Sequence, residues 1–324
     1  MASIKDVAKL AKVAPSTVSL VLNQKGYVSD ISRKKVEAAM QELSYIPSEM
    51  ARNLSLSRTN IIGVIVPEIS HPFFGTFIHA VEAELYGRGY KTMVCSTVQK
   101  ANAEQDFVDM LRRRTMDGII MGAHSLELDI YDNINRPVVA FDRFINDEIP
   151  IVHADHQSGG RIAAEAFLRH ACHHIVQIIG ARKVSSPANE HHEVFKQILC
   201  EAGIIVDTVE MAWNAFEPID FSQIVENLFM EYPDVDGIFG PDLAICSCLR
   251  LAEQYGRHIP DDLRLVAYDG TYITRIGVRT ITAIVQPIPL LAHFAVEKII
   301  TLIRGDVGEK LQALSVSLQQ GDTC

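Results

Sequence analysis

The sequence has no apolar stretch that approaches the ~18 uninterrupted apolar residues of a membrane span. Its first residues, Met-Ala-Ser-Ile-Lys-Asp-Val-Ala, lack the apolar segment of an export signal. Cysteine is scarce, with six residues spread over 324 positions, so no disulfide framework is indicated and reduced thiols are expected. We therefore expect a cytoplasmic protein with no membrane partner.

The signatures of common enzymes are also missing. The sequence contains neither a G-x-x-x-x-G-K-[ST] phosphate loop nor the G-x-S-x-G turn that presents a nucleophilic serine. Cys246 and Cys248 form a C-x-C pattern, but no second pair stands at the spacing of zinc ligands. The sequence thus predicts no metal site, no cofactor and no catalytic residue.

What is present is an ordinary globular composition, 48% hydrophobic and 22% charged, in a chain long enough for two or three domains. The net charge of −10 is spread unevenly, because residues 1–60 carry nine Lys and Arg against five acidic residues. These 60 residues therefore have a net charge of +4, and the rest of the chain has −14. This asymmetry favours a polyanion-binding module on an acidic body.

The pattern of residues 1–46 indicates three short helices. Ser3 and Asp6 form a capping-box-like start to the first helix, and Pro15 suits the first position of a second helix. A third helix is expected over residues 32–44. Two helices separated by a tight turn are typical of a helix-turn-helix, whose second helix enters the major groove of DNA. A plain three-helix bundle without a DNA role fits the same pattern.

Residues 47–59 predict a hinge. The stretch from Ser48 to Leu54 is compatible with a helix, with Ser48 as its N-cap. It is shorter than the ~12–15 residues that an isolated helix needs in water, so it requires a partner to form. The alternative is an inert linker, which would leave Met50 and Leu54 without a purpose.

From Ile61 onward, short apolar runs alternate with amphipathic helices, which predicts parallel sheets covered on both faces. The expected strands are Ile61–Val66, Tyr90–Cys95, Gly118–Met121 and Pro137–Phe141 in one half, and Ile175–Ile179, Ile204–Val209, Gly237–Phe239 and Leu265–Tyr268 in the other. Val138–Asp142 and Leu265–Asp269 echo each other across the halves. We expect two similar lobes, with a ligand crevice beyond the carboxyl ends of their strands.

Asp142 and Asp269 end equivalent strands and are expected to face this crevice from opposite lobes. A carboxylate accepts two hydroxyl hydrogen bonds, which suits the adjacent hydroxyls of a sugar. Aromatic rings suit the apolar faces of a sugar, and Phe73, Phe74 and Phe77 follow the first strand. The alternatives are capping of the next turn for the aspartates and core packing for the phenylalanines.

Several ordered motifs carry a family resemblance. Ile4–Ala11, Pro15–Ser19, Val21–Asn23 and Ala51–Leu54 strongly resemble the head of the LacI/GalR family of bacterial repressors. The resemblance covers the whole chain, and the core looks like the periplasmic sugar-binding fold. Within the family the chain resembles the sucrose-operon repressors of Gram-positive bacteria, on residues 122–126, 141–143, 186–187, 268–272 and 318–321.

The resemblance implies an α/β protein, with a small all-α helix-turn-helix head and a two-lobed core of parallel sheets like that of periplasmic binding proteins. The implied domains are a DNA-binding head at 1–46, a hinge helix and linker at 47–59, and an effector-binding and dimerisation core at 60–324. Within that core, the first lobe takes about 60–157 and 287–313, and the second about 158–286 and 314–324.

The resemblance also assigns binding residues. The implied DNA contacts come from the second helix, the loop after it and the hinge: Ser16, Thr17, Ser19, Leu20, Asn23, Tyr27, Ala51, Arg52 and Leu54. The family's effector positions map onto His71, Phe73, Phe74, Asp142, His191, Asp242 and Asp269.

The chain departs from the family in the head and in the cleft. Lys12 stands where the family usually has glycine, and Ala14 where it usually has a serine cap, which predicts a head of marginal stability. His191 stands where the family usually has an arginine, and Gly240–Asp242 lacks the usual asparagine. Because a phosphate would require the missing arginine, a neutral sugar is favoured over a phosphorylated one.

These features predict a sugar-responsive repressor that binds double-stranded operator DNA as a homodimer and is released by a small sugar, of the sucrose type. One alternative is a corepressor-dependent catabolite regulator of the same family. The other is a sugar-processing enzyme, which the missing catalytic signatures disfavour.

Overall fold

The computed structural model describes residues 2–23, 26–47, 58–98, 102–124, 126, 129–306 and 311–324. The chain divides into two units, an N-terminal unit of residues 1–60 and a core unit of residues 61–324. The predicted hinge helix, with Ala51, Arg52 and Leu54, lies outside the described residues.

The N-terminal unit contains three helices: α1 (Ile4–Ala11), α2 (Pro15–Asn23) and α3 (Asp30–Glu42). Ser3 and Asp6 exchange hydrogen bonds at the start of α1, which confirms the predicted capping box. The third helix begins two residues before its expected start because Ser29 caps it by accepting from the Ser32 N–H. Small apolar side chains from all three helices form the core of this unit: Val7, Ala8, Ala11, Val18, Val21, Val36 and Ala39.

The turn between α1 and α2 has the unfavourable features that the sequence predicted. Lys12 has a left-handed backbone, with φ of +55°, a conformation that glycine adopts at lower cost. Ala14 precedes α2, and its methyl group cannot accept a hydrogen bond from the first turn of that helix. The marginal stability of the head remains a prediction.

We expect Ala14→Ser to raise the free energy of unfolding of the N-terminal unit by about 1 kcal/mol, because a serine hydroxyl can cap α2. Hydrogen exchange of the α2 amides in the full-length protein measures the change. Ala38→Ser is the matched control, since Ala38 is exposed inside α3, where serine is a slightly weaker helix former than alanine. Equal protection in the two variants would contradict the capping argument.

The first lobe of the core unit contains a five-stranded parallel sheet with the order β2-β1-β3-β4-β5. Its strands are β1 (Ile61–Val66), β2 (Lys91–Ser96), β3 (Gly118–Met121), β4 (Val138–Phe141) and β5 (Ile151–Val152). Two helices follow the first two strands: α4 (Pro72–Gly87) and α5 (Ala103–Arg112). Strands β3 and β4 are buried along their whole length, as expected when helices cover both faces.

The second lobe contains a six-stranded sheet with the order β11-β10-β9-β8-β6-β7, parallel except at the β11 edge. The helices are α6 (His156–Leu168), α7 (Asn189–Glu201), α8 (Pro218–Glu231) and α9 (Asp242–Leu251). The strands are β6 (His174–Ile179), β7 (Ile205–Glu210), β8 (Gly237–Pro241), β9 (Arg264–Asp269), β10 (Thr282–Val285) and β11 (Ser317–Gln319).

The last helix, α10 (Ile288–Arg304), returns to the first lobe and packs its apolar face on that lobe's sheet. The chain therefore crosses between the lobes before α6, before α10 and again before β11. Ala154 in the first crossing pairs with Leu314 in the last, so the two segments lie side by side. This two-lobed arrangement of parallel sheets, with the three-helix head, confirms the predicted fold class.

Candidate functional site

Loops at the carboxyl ends of both sheets enclose a cavity of about 190 Å³ between the two lobes of the core unit. Six of the seven residues assigned to effector binding line it: His71, Phe73, Phe74, Asp142, His191 and Asp269. The cavity lies where ligands bind in parallel α/β sheets, beyond the last residues of the strands.

Two carboxylates face the cavity from opposite lobes. Asp142 follows β4 and Asp269 ends β9, and their φ angles are +48° and +112°. Such conformations are strained for residues other than glycine, and strained residues concentrate at binding sites. In the described part of the chain, the two carboxylates accept hydrogen bonds from His156 Nε2 and Gln286 Nε2, each at 2.8 Å, and not from the turns that follow them. Turn capping therefore does not account for these aspartates.

Burial raises the pKa of Asp269 well above its usual 3.8, and the neighbouring charge of Asp242 raises it further. The Gln286 amide opposes this shift by donating to the carboxylate. A ligand that donates further hydrogen bonds to Asp269 would stabilise its charged form in the same way. The site thus suits a ligand rich in hydroxyl groups.

Asp242, the seventh assigned residue, is buried at the start of α9 and supports the loop after Asp269. Its carboxylate accepts hydrogen bonds from the Gly270 N–H at 3.1 Å, and from the Thr271 N–H and hydroxyl at 2.7 and 2.6 Å. Burial raises the pKa of Asp242 to about 7, although the Thr271 donors favour the ionised form. Asp242 therefore positions Asp269 and does not itself line the cavity.

Aromatic rings form another wall of the cavity. His71 and Phe74, at the start of α4, lie 5.4 Å apart between ring centroids, and Phe216 of the second lobe lies within 6.0 Å of both. Phe73 stacks on Phe141 beside the cavity. Phe77 stacks more closely on Phe141, at 3.7 Å, and is a core residue, as the packing alternative proposed.

The histidines of the cavity are neutral at physiological pH. Burial lowers the pKa of His71 and His124 to about 4 and that of His192 to about 3, and it holds the pKa of His191 well below the usual 6.5. The Nδ1 atoms of His71, His191 and His192 are buried and have no hydrogen-bond partner among the described residues. Unpartnered buried nitrogens cost free energy that a hydroxyl of a bound ligand would recover. No lysine or arginine is among the described lining residues.

Sequence reasoning missed the loop between β7 and α8. Trp213 in this loop donates its indole N–H to the His124 carbonyl of the first lobe at 2.8 Å, and Phe216 contacts the His71 ring. The available signal was that Trp213 is the single tryptophan of the chain. Tyr268, His124 and Gln286 also line the cavity.

The predicted DNA-contacting residues of α2 lie on its outer side. Ser16 and Leu20 are exposed, Thr17 and Ser19 are half-buried, and Asn23 donates to the Ser19 hydroxyl. Tyr27, in the loop after α2, is 93% exposed.

The residues that the structure describes include no helix that is long and apolar enough to span a bilayer. They also include no group of three or more His, Cys, Asp or Glu side chains arranged to hold a metal ion. Cys246 and Cys248 sit on α9, where burial raises the pKa of Cys246 to about 12.

Two family models match the sequence. One is described as "Bacterial regulatory proteins, lacI family" and matches residues 3–48. The other is described as "Periplasmic binding proteins and sugar binding domain of LacI family" and matches residues 59–289.

Similar proteins match over most of the chain. The sucrose operon repressor of Streptococcus mutans is 36% identical over 324 residues, covering 100% of this chain and 99% of that protein. The ribose operon repressor of Halalkalibacterium halodurans is 36% identical over 290 residues, covering 89% of this chain and 86% of that protein. A crystal structure of the lac repressor dimer, bound to operator and the anti-inducer ONPF, aligns with a TM-score of 0.86 at 24% identity, covering 99% of this chain and 98% of that chain.

Proposed function

This chain belongs to the lacI family of bacterial regulatory proteins, and from that membership we propose that it represses a sugar-utilisation operon and leaves its operator when a neutral sugar fills the cavity. It is a DNA-binding transcriptional repressor and not an enzyme. Because it acts on DNA in a bacterial cell, the proposal places it in the cytoplasm.

The proposed DNA contacts are those of a helix-turn-helix. Ser16 and Thr17, near the start of α2, offer hydroxyls to base edges or phosphates, and Leu20 offers an apolar contact to a thymine methyl. Ser19, Asn23 and Tyr27 complete the proposed surface of the head, and Ala51, Arg52 and Leu54 that of the hinge. In the proposed homodimer, two heads bind the two halves of a pseudo-palindromic operator.

The chemistry of the cavity supports a neutral sugar as effector. The observation that carries this proposal is the pairing of two carboxylates, Asp142 and Asp269, with buried histidine nitrogens that have no partner among the described residues, in a cavity whose described lining residues include no lysine or arginine. Sugar hydroxyls can donate to the carboxylates and to the histidine nitrogens, and the aromatic wall suits the apolar face of a sugar ring. Among the described lining residues, a phosphate group would meet two acids and no lysine or arginine, which disfavours phosphorylated sugars.

Sucrose is the proposed sugar because the full-length relative from Streptococcus mutans represses a sucrose operon. Ribose is the second candidate, since a ribose operon repressor is equally identical over a shorter alignment. The opposite sign of response, in which a ligand strengthens operator binding, remains the alternative within the family.

A binding titration tests the proposal. Operator DNA is selected with the full-length protein from a random double-stranded pool, and its affinity is measured with sucrose, fructose, ribose or sucrose 6-phosphate present. We expect sucrose to weaken operator binding by about tenfold or more, within the usual range of allosteric coupling, and sucrose 6-phosphate to have little effect. A stronger effect of the phosphorylated sugar would contradict the neutral-sugar proposal, and tighter operator binding with sucrose would establish a corepressor.

We expect operator binding to depend strongly on salt, with a log–log slope steeper than about −3, because basic heads release counterions from DNA while the acidic body does not. Lys12→Gln should make that slope shallower by about two, one for each head of the dimer, if Lys12 contacts a phosphate. Lys196→Gln, an exposed substitution on α7, is the matched control and should leave it unchanged. A nearly flat salt response would mean that the head does not contact the DNA backbone.

A further inference from the structure

His156 is the first residue of α6, directly after the chain crosses from the first lobe to the second. Its side chain is buried, and sequence analysis did not identify it. His156 Nε2 lies 2.8 Å from Asp142 Oδ1 in the first lobe, and His156 Nδ1 lies 2.8 Å from the Tyr268 hydroxyl in the second. A single imidazole thus bridges the two lobes beside the cavity.

The partners of His156 place one hydrogen bond on each ring nitrogen. The Asp142 carboxylate accepts, so the Nε2–H of His156 donates to it. Nδ1 forms the second hydrogen bond, with the Tyr268 hydroxyl. Burial raises the pKa of Tyr268 well above its usual 10, so this hydroxyl keeps its proton. The result is a hydrogen-bonded chain from Tyr268 through His156 to Asp142.

The Tyr268 end of this chain is held in place. The Tyr268 ring stacks on the His191 ring, with centroids 3.6 Å apart and planes within 5°. Gly159, on the first turn of α6, lies so close that a Cβ there would be 2.6 Å from the Tyr268 hydroxyl oxygen. Tyr268 therefore has little room to follow a movement of the first lobe.

The crossing segments restrain His156 in the same way. The Asp155 N–H donates to the Leu314 carbonyl at 2.7 Å, and the Leu314 N–H donates to the His153 carbonyl at 3.0 Å. The backbone before His156 is thus tied to the last crossing of the chain. A rotation of one lobe relative to the other must stretch or realign the bond from His156 to Asp142 or to Tyr268.

We infer that His156 is the positioning residue through which sugar at Asp142 changes the relative geometry of the lobes. This inference rests on the proposed function. A sugar hydroxyl that donates to Asp142 shares its carboxylate with His156, which weakens or realigns the bond across the lobes. Because Tyr268 precedes Asp269, the same chain links the two carboxylates that hold the sugar.

The test uses full-length His156→Phe, Tyr268→Phe and the double variant. Tyr268→Phe removes only the hydroxyl and keeps the ring that stacks on His191. The readout is the ratio of operator dissociation constants with and without sugar, titrated with sucrose, fructose and ribose. His153→Phe is the matched control, because the His153 ring lies 6.4 Å from the His156 ring but hydrogen-bonds only to the adjacent Ala154 carbonyl among the described residues.

We expect the ratio of operator dissociation constants to fall below about threefold in both single variants and in the double variant. A ratio that small lies below the usual range of allosteric coupling. Operator affinity without sugar should fall in these variants toward the sugar-bound value of wild type, because the bond that sugar weakens is already absent, whereas His153→Phe should keep the wild-type affinity and ratio. His156→Gln, whose amide can both donate and accept, should restore part of the ratio. A wild-type ratio in Tyr268→Phe would overturn the inference, as would equal loss in His153→Phe.

A measurement made without sugar distinguishes a failure of this inference from a failure of the proposed function. In urea unfolding, each single variant should raise the unfolding constant of the core unit by about fivefold to tenfold, as expected for the loss of a buried hydrogen bond. The double variant should add little to either single variant, because the residues share one chain. Additive effects would overturn the inference even if no sugar acts. The two single variants and the double variant form a double-mutant cycle. If their effects on unfolding are non-additive but no sugar changes wild-type operator binding, the proposed function has failed, although the bridge between the lobes exists.

Discussion

Asp269→Asn is expected to give a repressor that still binds its operator and no longer responds to sugar. The substitution keeps the size of the side chain and an oxygen that can accept from Gln286 Nε2, which is 2.8 Å away. It removes the charge and the second accepting oxygen, so a sugar hydroxyl loses its partner in a desolvated cavity. Leaving a polar group unpaired there costs about 1–3 kcal/mol, which is roughly fivefold to 150-fold in sugar affinity.

The measurement is a pair of operator titrations, with and without sucrose, for the wild type and the variant. Asp261→Asn serves as the control, because Asp261 is exposed in the loop before β9 and changes the net charge by the same amount. Operator affinity without sucrose should be unchanged in both variants, since the head consists of other residues. A full sucrose response in Asp269→Asn would show that the carboxylate serves only the loop around it.

The strands of the core could be predicted because parallel strands buried on both faces are uninterrupted apolar runs. All eight expected strands are present, with ends that differ by two residues or fewer, as for Tyr90–Cys95 against the observed Lys91–Ser96. Of the three missed strands, β10 (Thr282–Val285) is a buried apolar run that carries this signal and was overlooked, whereas β5 and β11 lack it. Strand β5 has only two residues, and β11 lies partly exposed at an antiparallel edge, so neither contains an apolar run.

The polar half of the cavity was predictable where residues follow strands. The echo between Val138–Asp142 and Leu265–Asp269 identified two carboxylates at equivalent strand ends, and the structure brings both to one cavity. The family resemblance assigned Asp242 to the ligand, but its carboxylate binds the Gly270 and Thr271 N–H groups below the cavity. Sequence position specifies the end of a strand and does not specify which way a side chain turns there.

His156 and Phe216 could not be predicted because their roles depend on contacts between lobes. His156 is one histidine among twelve in the sequence, and only the fold places it within 2.8 Å of both Asp142 and Tyr268. Phe216 belongs to an irregular loop without periodicity, yet it packs on His71 of the other lobe. Periodicity reports which residues share a face of one element, so it carries no information about such contacts.

We expect Gly160→Ala to be the most destabilising small substitution in the core unit, because Gly160 lies at the tightest packing near the cavity. Gly160, on α6, lies against the backbone of α7, and a Cβ there would be 2.3 Å from the His191 carbonyl oxygen. A backbone atom inside a helix cannot move aside as a flexible side chain can, so α6 and α7 must separate. Such overpacking costs about 1–3 kcal/mol and sometimes more, and we expect a loss of about 3 kcal/mol in the free energy of unfolding.

Urea unfolding followed by Trp213 fluorescence measures this loss, with Gly87→Ala as the matched control. Among the described residues, no heavy atom beyond its chain neighbours and the nearby backbone of α4 lies within 4 Å of the position that a Cβ would take at Gly87, the last residue of that helix. Alanine there should be neutral or stabilise by up to about 1 kcal/mol, because it restricts the unfolded chain more than glycine does. A loss at Gly160 no larger than the change at Gly87 would mean that α7 can shift freely. The contact between α6 and α7 would then not fix His191 or its stacking on Tyr268. Other contacts would have to hold this wall of the sugar site rigid.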